Sequence, residues 1–425
     1  MSAPHAALPE PSLALRASQL AAFLVPGVAL TVPSGYSAGA VVLALSALIF
    51  GRQWWSQPWD RRAVWLGATL AGMAVLWSLS FDGWALASRN DQFYKYFLAI
   101  AGLGFWQAFA PKVRPLGWGM LAGALGAGLV AVYQTGFTPG LRASGFTNAI
   151  QFSGIALILA LGCSFGVLLL WRSLAVWQRW LGLLCSLFGL VAVVLSDTRG
   201  SWVVLPAVLL VGAAQLWRCG LRKPVMLGLV AAVIGVGGLV GFKGADMAQR
   251  YQTAVDEVVQ YHHTGAAKTS VGQRLAHWKL AWQMGLDSPI TGWGMRGYDL
   301  EKERRVLAGQ SDTFVLEFSH AHNELFDMFA KRGLIGVMLL LAFYLVPLAI
   351  FWPTHRRMVQ CPGQPMDRQI LYLRTLGTMV PLCYMGFGLT QVFFAHNSGH
   401  MFYTFMLVLL LAALIGRERA LRVAK

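Results

Sequence analysis

Apolar residues in this chain fall in long unbroken runs, without the three-to-four spacing of a surface helix or the alternation of a half-buried strand. Twelve runs, at approximately 17–32, 36–51, 63–80, 93–110, 115–133, 149–171, 177–195, 201–217, 224–241, 333–352, 371–391 and 398–416, are long enough, or nearly so, to span a bilayer. A helix rises about 1.5 Å per residue and the hydrocarbon layer is about 30 Å thick. Pro26, Pro33 and Gly35 interrupt the first pair, which predicts short, tilted or broken spans there. The pattern predicts an all-α polytopic membrane protein of about twelve transmembrane helices.

The pattern breaks once, over residues 242–332. The expected organisation is therefore spans one to nine in 1–241, a large helical loop in 242–332, and spans ten to twelve with a basic tail in 333–425. Three helical pieces are expected within the loop. Residues 245–261 read as a short polar surface helix. In 271–286, Leu275, Trp278 and Trp282 recur at helical spacing, an amphipathic pattern with aromatic anchors suited to a headgroup layer. Pro289 and the turn Gly292-Trp293-Gly294 end that piece. A third is expected to start near Ser311 or Asp312 and to lead into the tenth span through Gly333.

Composition agrees with a membrane protein and excludes a soluble one: 56% of residues are hydrophobic and 12% charged. Basic residues exceed acidic ones by 34 to 18, a net charge of +16. They sit in short clusters between apolar runs, with no basic stripe, so no nucleic-acid partner is expected. With the N-terminus inside, nineteen Lys and Arg fall in the cytoplasmic connections. Four (Arg89, Lys95, Arg142, Arg199) fall in the short outward ones. Both termini are then cytoplasmic and the large loop faces outward, into the periplasm if the cell is Gram-negative. That loop holds 11 of the 18 acidic residues. The first fifteen residues carry no positive charge, so 17–32 reads as a retained span. The five cysteines, Cys361 among them, form no CxxC pair and no metal-ligand spacing.

A charge in or near hydrocarbon requires pairing, hydration or an interface, which directs attention to the outward face. Ser196-Asp197-Thr198-Arg199-Gly200 is a tight polar link between spans seven and eight, placing Arg199 at the outer mouth of the bundle. Its forked guanidinium suits the oxygens of a diphosphate, or equally a lipid headgroup or Asp197. Arg274 begins the amphipathic piece, either as a surface anchor or beside an anionic headgroup. Arg142 is a third cation in the same layer. His320-Ala321-His322-Asn323-Glu324 supplies imidazole near neutral pKa, competent as a general base or simply satisfied at the interface. Were this stretch helical, the two histidines would point apart and His320 would pair with Glu324. No HExxH, GxSxG or nucleotide loop is present, and neither metal nor cofactor is expected.

Ser196–Gly200 (SDTRG), Gln273–Trp278 (QRLAHW), Asp287–Gly294 (DSPITGWG) and Ala321–Gly336 (AHNELFDMFAKRGLIG), in this order, resemble the O-antigen ligase family. That family shares a domain with O-antigen polymerases and bacterial protein O-oligosaccharyltransferases. The resemblance implies a helical glycosyltransferase of the lipid-phosphate-dependent GT-C class in the bacterial inner membrane. The implied reaction is inverting and metal-independent. It moves an O-antigen glycan from undecaprenyl diphosphate to a sugar hydroxyl of lipid A–core on the periplasmic side. It implies His322 as base, with Asn323 beside it, and Arg199 and Arg274 on the diphosphate; Arg142 and His320 are further candidates near substrate, His320 without an assigned role. An O-antigen polymerase, a protein O-oligosaccharyltransferase and, from span count alone, a twelve-span transporter are the alternatives.

Overall fold

The computed structural model describes residues 12–80, 92–138, 140–264, 269–358 and 366–423; Arg89 and Cys361 lie outside them. The described residues are helical throughout, without strands. The first nine helices are α1 (Leu13–Gly27), α2 (Ala38–Ile49), α3 (Gly51–Trp54), α4 (Arg61–Leu79), α5 (Gln92–Ala108), α6 (Val113–Phe137), α7 (Ala149–Leu170), α8 (Val176–Leu195) and α9 (Arg199–Arg218). They are followed by α10 (Arg222–Thr264), α11 (Ser270–Asp287), α12 (Gly294–Leu307), α13 (Glu324–Phe351), α14 (His355–Met358), α15 (Arg368–Gly388) and α16 (Asn397–Val423). Each of the twelve apolar runs lies largely in a helix, with 28–32 and 389–391 falling in the connections that follow. Eight of these helices (α4, α6, α7, α8, α9, α13, α15 and α16) are long and apolar enough to cross a membrane, and α1 and α2 are shorter apolar helices. The chain is a membrane-embedded helical protein.

The apolar stretches of α16, α15 and α7 are 94%, 83% and 78% buried inside the protein, against 33% for α8 and α9. The first three are thus the centre, around which the others pack. Starts and stops follow from capping side chains: Asp60, Asn148, Thr269, Asn323 and Asp367 each accept a backbone N–H of the following first turn. At the end of the bundle where α4 and α15 begin and α16 finishes, buried charges are paired. Glu418 accepts from Arg374 (2.8 Å) and Arg62 (2.7 Å), and Asp367 from Arg417 (2.6 Å). Burying such ions unpaired costs several kcal/mol, so this network fixes the register of three helices. A cavity of about 430 Å³ lies near the same end, lined by Val113, Gly162, Gly166, Gly182 and Tyr372. It contains none of the candidate residues.

The region 242–332 departs from its expected form in four ways. Residues 245–261 are not a separate surface helix; they continue the ninth apolar run in one 43-residue helix, α10. In α11 the buried face is His277, Leu280, Ala281 and Met284, about one residue out of phase with Leu275, Trp278 and Trp282. The two tryptophans instead flank α13: Trp278 lies 5.8 Å from Phe326, and Trp282 5.3 Å from Phe329. An unforeseen helix, α12, follows the glycine turn. The piece expected from Ser311 is only a 3-10 turn over Thr313–Leu316, and no helix joins it to α13. The carbonyls of this segment are taken by buried ammonium groups instead of by helical N–H groups. Lys302 Nζ donates to Phe318 O (2.7 Å) and Lys331 Nζ to Ser319 O (2.7 Å). His320 and Glu324 are consequently not on one helix.

Helix α13 itself breaks at Gly333 (φ 60°, ψ −157°). There the chain backbone meets the Asp287–Gly294 turn. Leu334 N–H donates to Pro289 O (2.7 Å), Ile335 N–H to Ile290 O (3.3 Å), and Trp293 N–H to Ala330 O (3.0 Å). Two of the sequence motifs are therefore two halves of one backbone brace. Beneath it the buried Arg332 guanidinium lies 3.9 Å over the Trp77 ring and donates to Ser80 Oγ (3.0 Å).

Candidate active site

The end of the bundle where α8 and α15 finish and α9, α13 and α16 begin collects every candidate residue. The Ser196–Gly200 link is a tight turn because Asp197 adopts a left-handed backbone (φ 51°), which Asp tolerates better than most residues. Ser196 Oγ bonds Val193 O (2.7 Å) and shares a hydrogen bond with Thr198 Oγ1 (2.7 Å) inside the turn. From outside, Arg142 clamps it: Nε donates to Ser196 O (3.0 Å) and Nη2 to Asp197 O (3.2 Å). Arg142, expected near substrate, thus has its guanidinium committed to the turn that presents Arg199.

Arg199 opens α9, so its charge adds to the exposed N–H groups of a helix N-terminus. Arg274, on α11, is half-buried, and its pKa is lowered by that burial and by the charges of Arg199 and Arg142. The three guanidiniums thus lie within one another's field. Among the described residues neither Arg199 nor Arg274 has a carboxylate or hydrogen-bond partner. Two adjacent cations without counter-charge make a site that favours an anion with several oxygens.

His322 takes a left-handed backbone (φ 54°), as do only Ser34 and Asp197 among the described non-glycine residues. Two of these three sit in the motifs, one under each side of the site. The conformation turns the chain into α13, whose N-cap is Asn323. Asn323 Oδ1 accepts from Leu325 N–H (3.0 Å) and Phe326 N–H (3.2 Å), and Nδ2 donates to Leu389 O (3.0 Å). Its amide is occupied on both sides by protein, which holds the histidine against the α15–α16 linker. Two buried lysines hold the rest of the loop, as described above. Between them lies the buried Tyr298 ring, with Lys302 Nζ 4.9 Å and Lys331 Nζ 5.0 Å from its centre.

Four imidazoles cluster here. The His322 ring lies 4.5 Å from His320 and 5.5 Å from His277, and His320 lies 5.8 Å from His396. Burial lowers all four pKa values, His277 and His320 to about 4. For His322 the hydrogen bond to Gln391 opposes burial, and the Arg274 charge adds to it. The lowered pKa of His322 favours the neutral imidazole, the form a base requires. Among the described residues no group of three or more His, Cys, Asp or Glu is arranged to hold a metal ion.

His277, His396 and Gln391 escaped sequence reasoning. His277 is quoted within Gln273–Trp278, yet its place on the buried face of α11 was hidden by a phase read from the tryptophans. Gln391 reads as the end of an apolar span, whereas α15 stops at Gly388 and leaves it in the linker.

Over 230 residues the chain is 30% identical to an uncharacterized protein of Haemophilus influenzae, covering 51% of this chain and 54% of that one. The chain thus spans about half the length of that relative. The O-antigen ligase family model matches residues 181–341, which contain the Arg199 turn, α11, the backbone brace and the His322 loop. The segment 181–341 is thus similar to the O-antigen ligase domain, which O-antigen ligases and polymerases share.

Proposed function

We propose that this protein is an O-antigen ligase, transferring a glycan from undecaprenyl diphosphate to a sugar hydroxyl of lipid A–core at the periplasmic face of the inner membrane. The observation that carries this reading is the unpartnered guanidinium pair Arg199 and Arg274, with Arg274 in turn close enough to act on the imidazole of His322. Arg199 and Arg274 hold the diphosphate. As the bond between anomeric carbon and phosphate oxygen breaks, its electron pair stays on the diphosphate, whose charge grows. The arginines therefore bind the transition state more strongly than the substrate. The acceptor hydroxyl oxygen attacks the anomeric carbon from the opposite side, inverting it, while His322 takes the hydroxyl proton. Undecaprenyl diphosphate leaves. Arg142 holds the Arg199 turn, and Asn323 and the lysines hold the His322 loop. The helical membrane architecture and the lipid-phosphate donor are those of the GT-C class, with both termini on the cytoplasmic side.

The candidate polar groups lie at helix ends and in the connections between helices, which favours an interfacial reaction over transport. The test is purified protein reconstituted with undecaprenyl-diphosphate-linked O-antigen and lipid A–core, together and separately. Glycan appearing on lipid A–core supports the ligase. Elongation of the donor glycan without lipid A–core identifies a polymerase instead.

A further inference from the structure

Gln391 lies outside the family-matched segment, in the linker between α15 and α16, yet it touches the core of the site. Its Oε1 is 3.0 Å from His322 Nδ1. The same oxygen accepts the Val392 backbone N–H at 3.3 Å. A backbone N–H can only donate, so the amide atom facing His322 is the carbonyl oxygen, and Nδ1 must carry the proton. The remaining nitrogen, Nε2, then keeps the lone pair. Gln391 is 5% exposed, so water does not compete for this contact. The linker is itself anchored on both sides of the site: Leu389 O accepts from Asn323 Nδ2, and Thr390 Oγ1 lies 3.0 Å from where a Cβ on Gly200 would sit.

We propose that Gln391 is a positioning residue that sets the tautomer of His322, making Nε2 the atom that accepts the acceptor hydroxyl's proton. The inference rests on the role proposed for His322. A neutral orienting amide fits this site better than a carboxylate. A carboxylate would favour the imidazolium in the resting enzyme, whereas the amide fixes the ring without charging it. The charged and titratable groups facing His322 are Arg274 and His277 from α11, His320 from its own loop, Asp327 from α13 and His396 from the same linker as Gln391.

The test uses full-length wild type, Gln391→Leu, Gln391→Glu and His322→Ala, each purified and shown to be monodisperse. Transfer from undecaprenyl-diphosphate-linked glycan to lipid A–core is followed across pH. Gln391→Leu is expected to lower kcat about tenfold to a hundredfold with both KM values held within about twofold, the range seen when the hydrogen-bond partner orienting a metal-bound imidazole is removed. Gln391→Glu keeps the acceptor oxygen. It is expected to recover most of kcat at high pH while moving the acid limb of the profile up by about one pH unit or more. Wild-type kcat in Gln391→Leu overturns the proposal. So does equal inactivity of both variants with an unmoved pH limb, the mark of a packing role. With His322→Ala inactive, either result removes Gln391 alone; an active His322→Ala removes the base on which the inference stands.

Discussion

Lys331 and Asp327 form a buried ion pair of 2.7 Å directly beneath the loop that carries His322. Each also grips that loop: Lys331 Nζ donates to Ser319 O at 2.7 Å, and Asp327 Oδ1 accepts Ala321 N–H at 2.9 Å. Removing one partner leaves the other charge buried and uncompensated, which costs about 3–5 kcal/mol. Lys331→Met and Asp327→Asn are therefore each expected to lower thermal stability in detergent and to reduce transfer. The double variant should be less destabilised than the sum of the singles, because no orphan charge remains. Strict additivity in unfolding measurements would show that the pair is not coupled.

The three arginines are expected to separate by stability. Arg199 and Arg274 repel each other and have no counter-charge among the described residues, so Arg199→Ala and Arg274→Ala relieve repulsion in the ligand-free protein. Both should abolish most transfer while leaving the melting temperature unchanged or raised. Arg142 holds two carbonyls of the Ser196–Gly200 turn, so Arg142→Ala should lower both melting temperature and transfer. Removing a charged hydrogen-bond donor of this kind costs about 1.5–3 kcal/mol. Equal melting curves for all three variants would mean that Arg142 does not brace the turn.

Glycines of similar backbone angle are expected to differ sharply on substitution. Gly292 (φ 66°) and Gly333 (φ 60°) face the opposite half of the brace, where an added Cβ would come within 2.3 Å of Lys331 or Ile290 backbone. Gly309 (φ 66°) faces open space. Gly309→Ala should cost about 1–2 kcal/mol through its left-handed backbone alone. Gly292→Ala and Gly333→Ala must also push two backbones apart, and should fail to accumulate as folded protein. Comparable membrane yields and melting temperatures for all three would contradict the brace.

How much of this was legible in the sequence depended on the signal involved. Helices in the membrane were, because uninterrupted apolar length has one structural solution. Arg199 in a short polar link, Arg274 at the start of the amphipathic piece and His322 in the histidine stretch were singled out as charged or titratable side chains near the outward face, where such a group needs a reason. The phase of α11 was misread because a helix buried against protein on one flank need not point its largest aromatics inward. His277, a polar residue on the inward face, looks like an exception to the pattern and is in fact part of it. Helix α12 was missed because charged Glu301, Lys302 and Arg305 resemble a solvated loop, whereas all three are buried in the fold. Glu301 pairs with Arg305 at 2.7 Å, and Lys302 is capped by loop carbonyls. Satisfaction by partners distant in sequence has no local signature. Gln391 was hidden for the same reason, since its partner is 69 residues away.

The imidazoles predict that acidity lowers both activity and stability over one range. His322 lies below the ordinary imidazole value of about 6.5, chiefly through burial. A base acts when unprotonated, so transfer should already be on its plateau at pH 7 and fall only as the pH drops through a midpoint below about 6.5. For stability, His277 and His320 have folded pKa values of about 4, below those of the unfolded chain. Between pH 6.5 and 4 the unfolded state then binds more protons, so folding is lost progressively as pH falls through that window and is insensitive to these groups above it. Melting temperature in detergent should decline from pH 7 to 4.5. His277→Phe, which keeps an aromatic ring between Phe314 and Phe318, should decline less steeply. An activity midpoint above 7 would mean that the base is charged at rest, held by a carboxylate and not by Gln391. An acid slope unchanged in His277→Phe would place the titrating groups elsewhere.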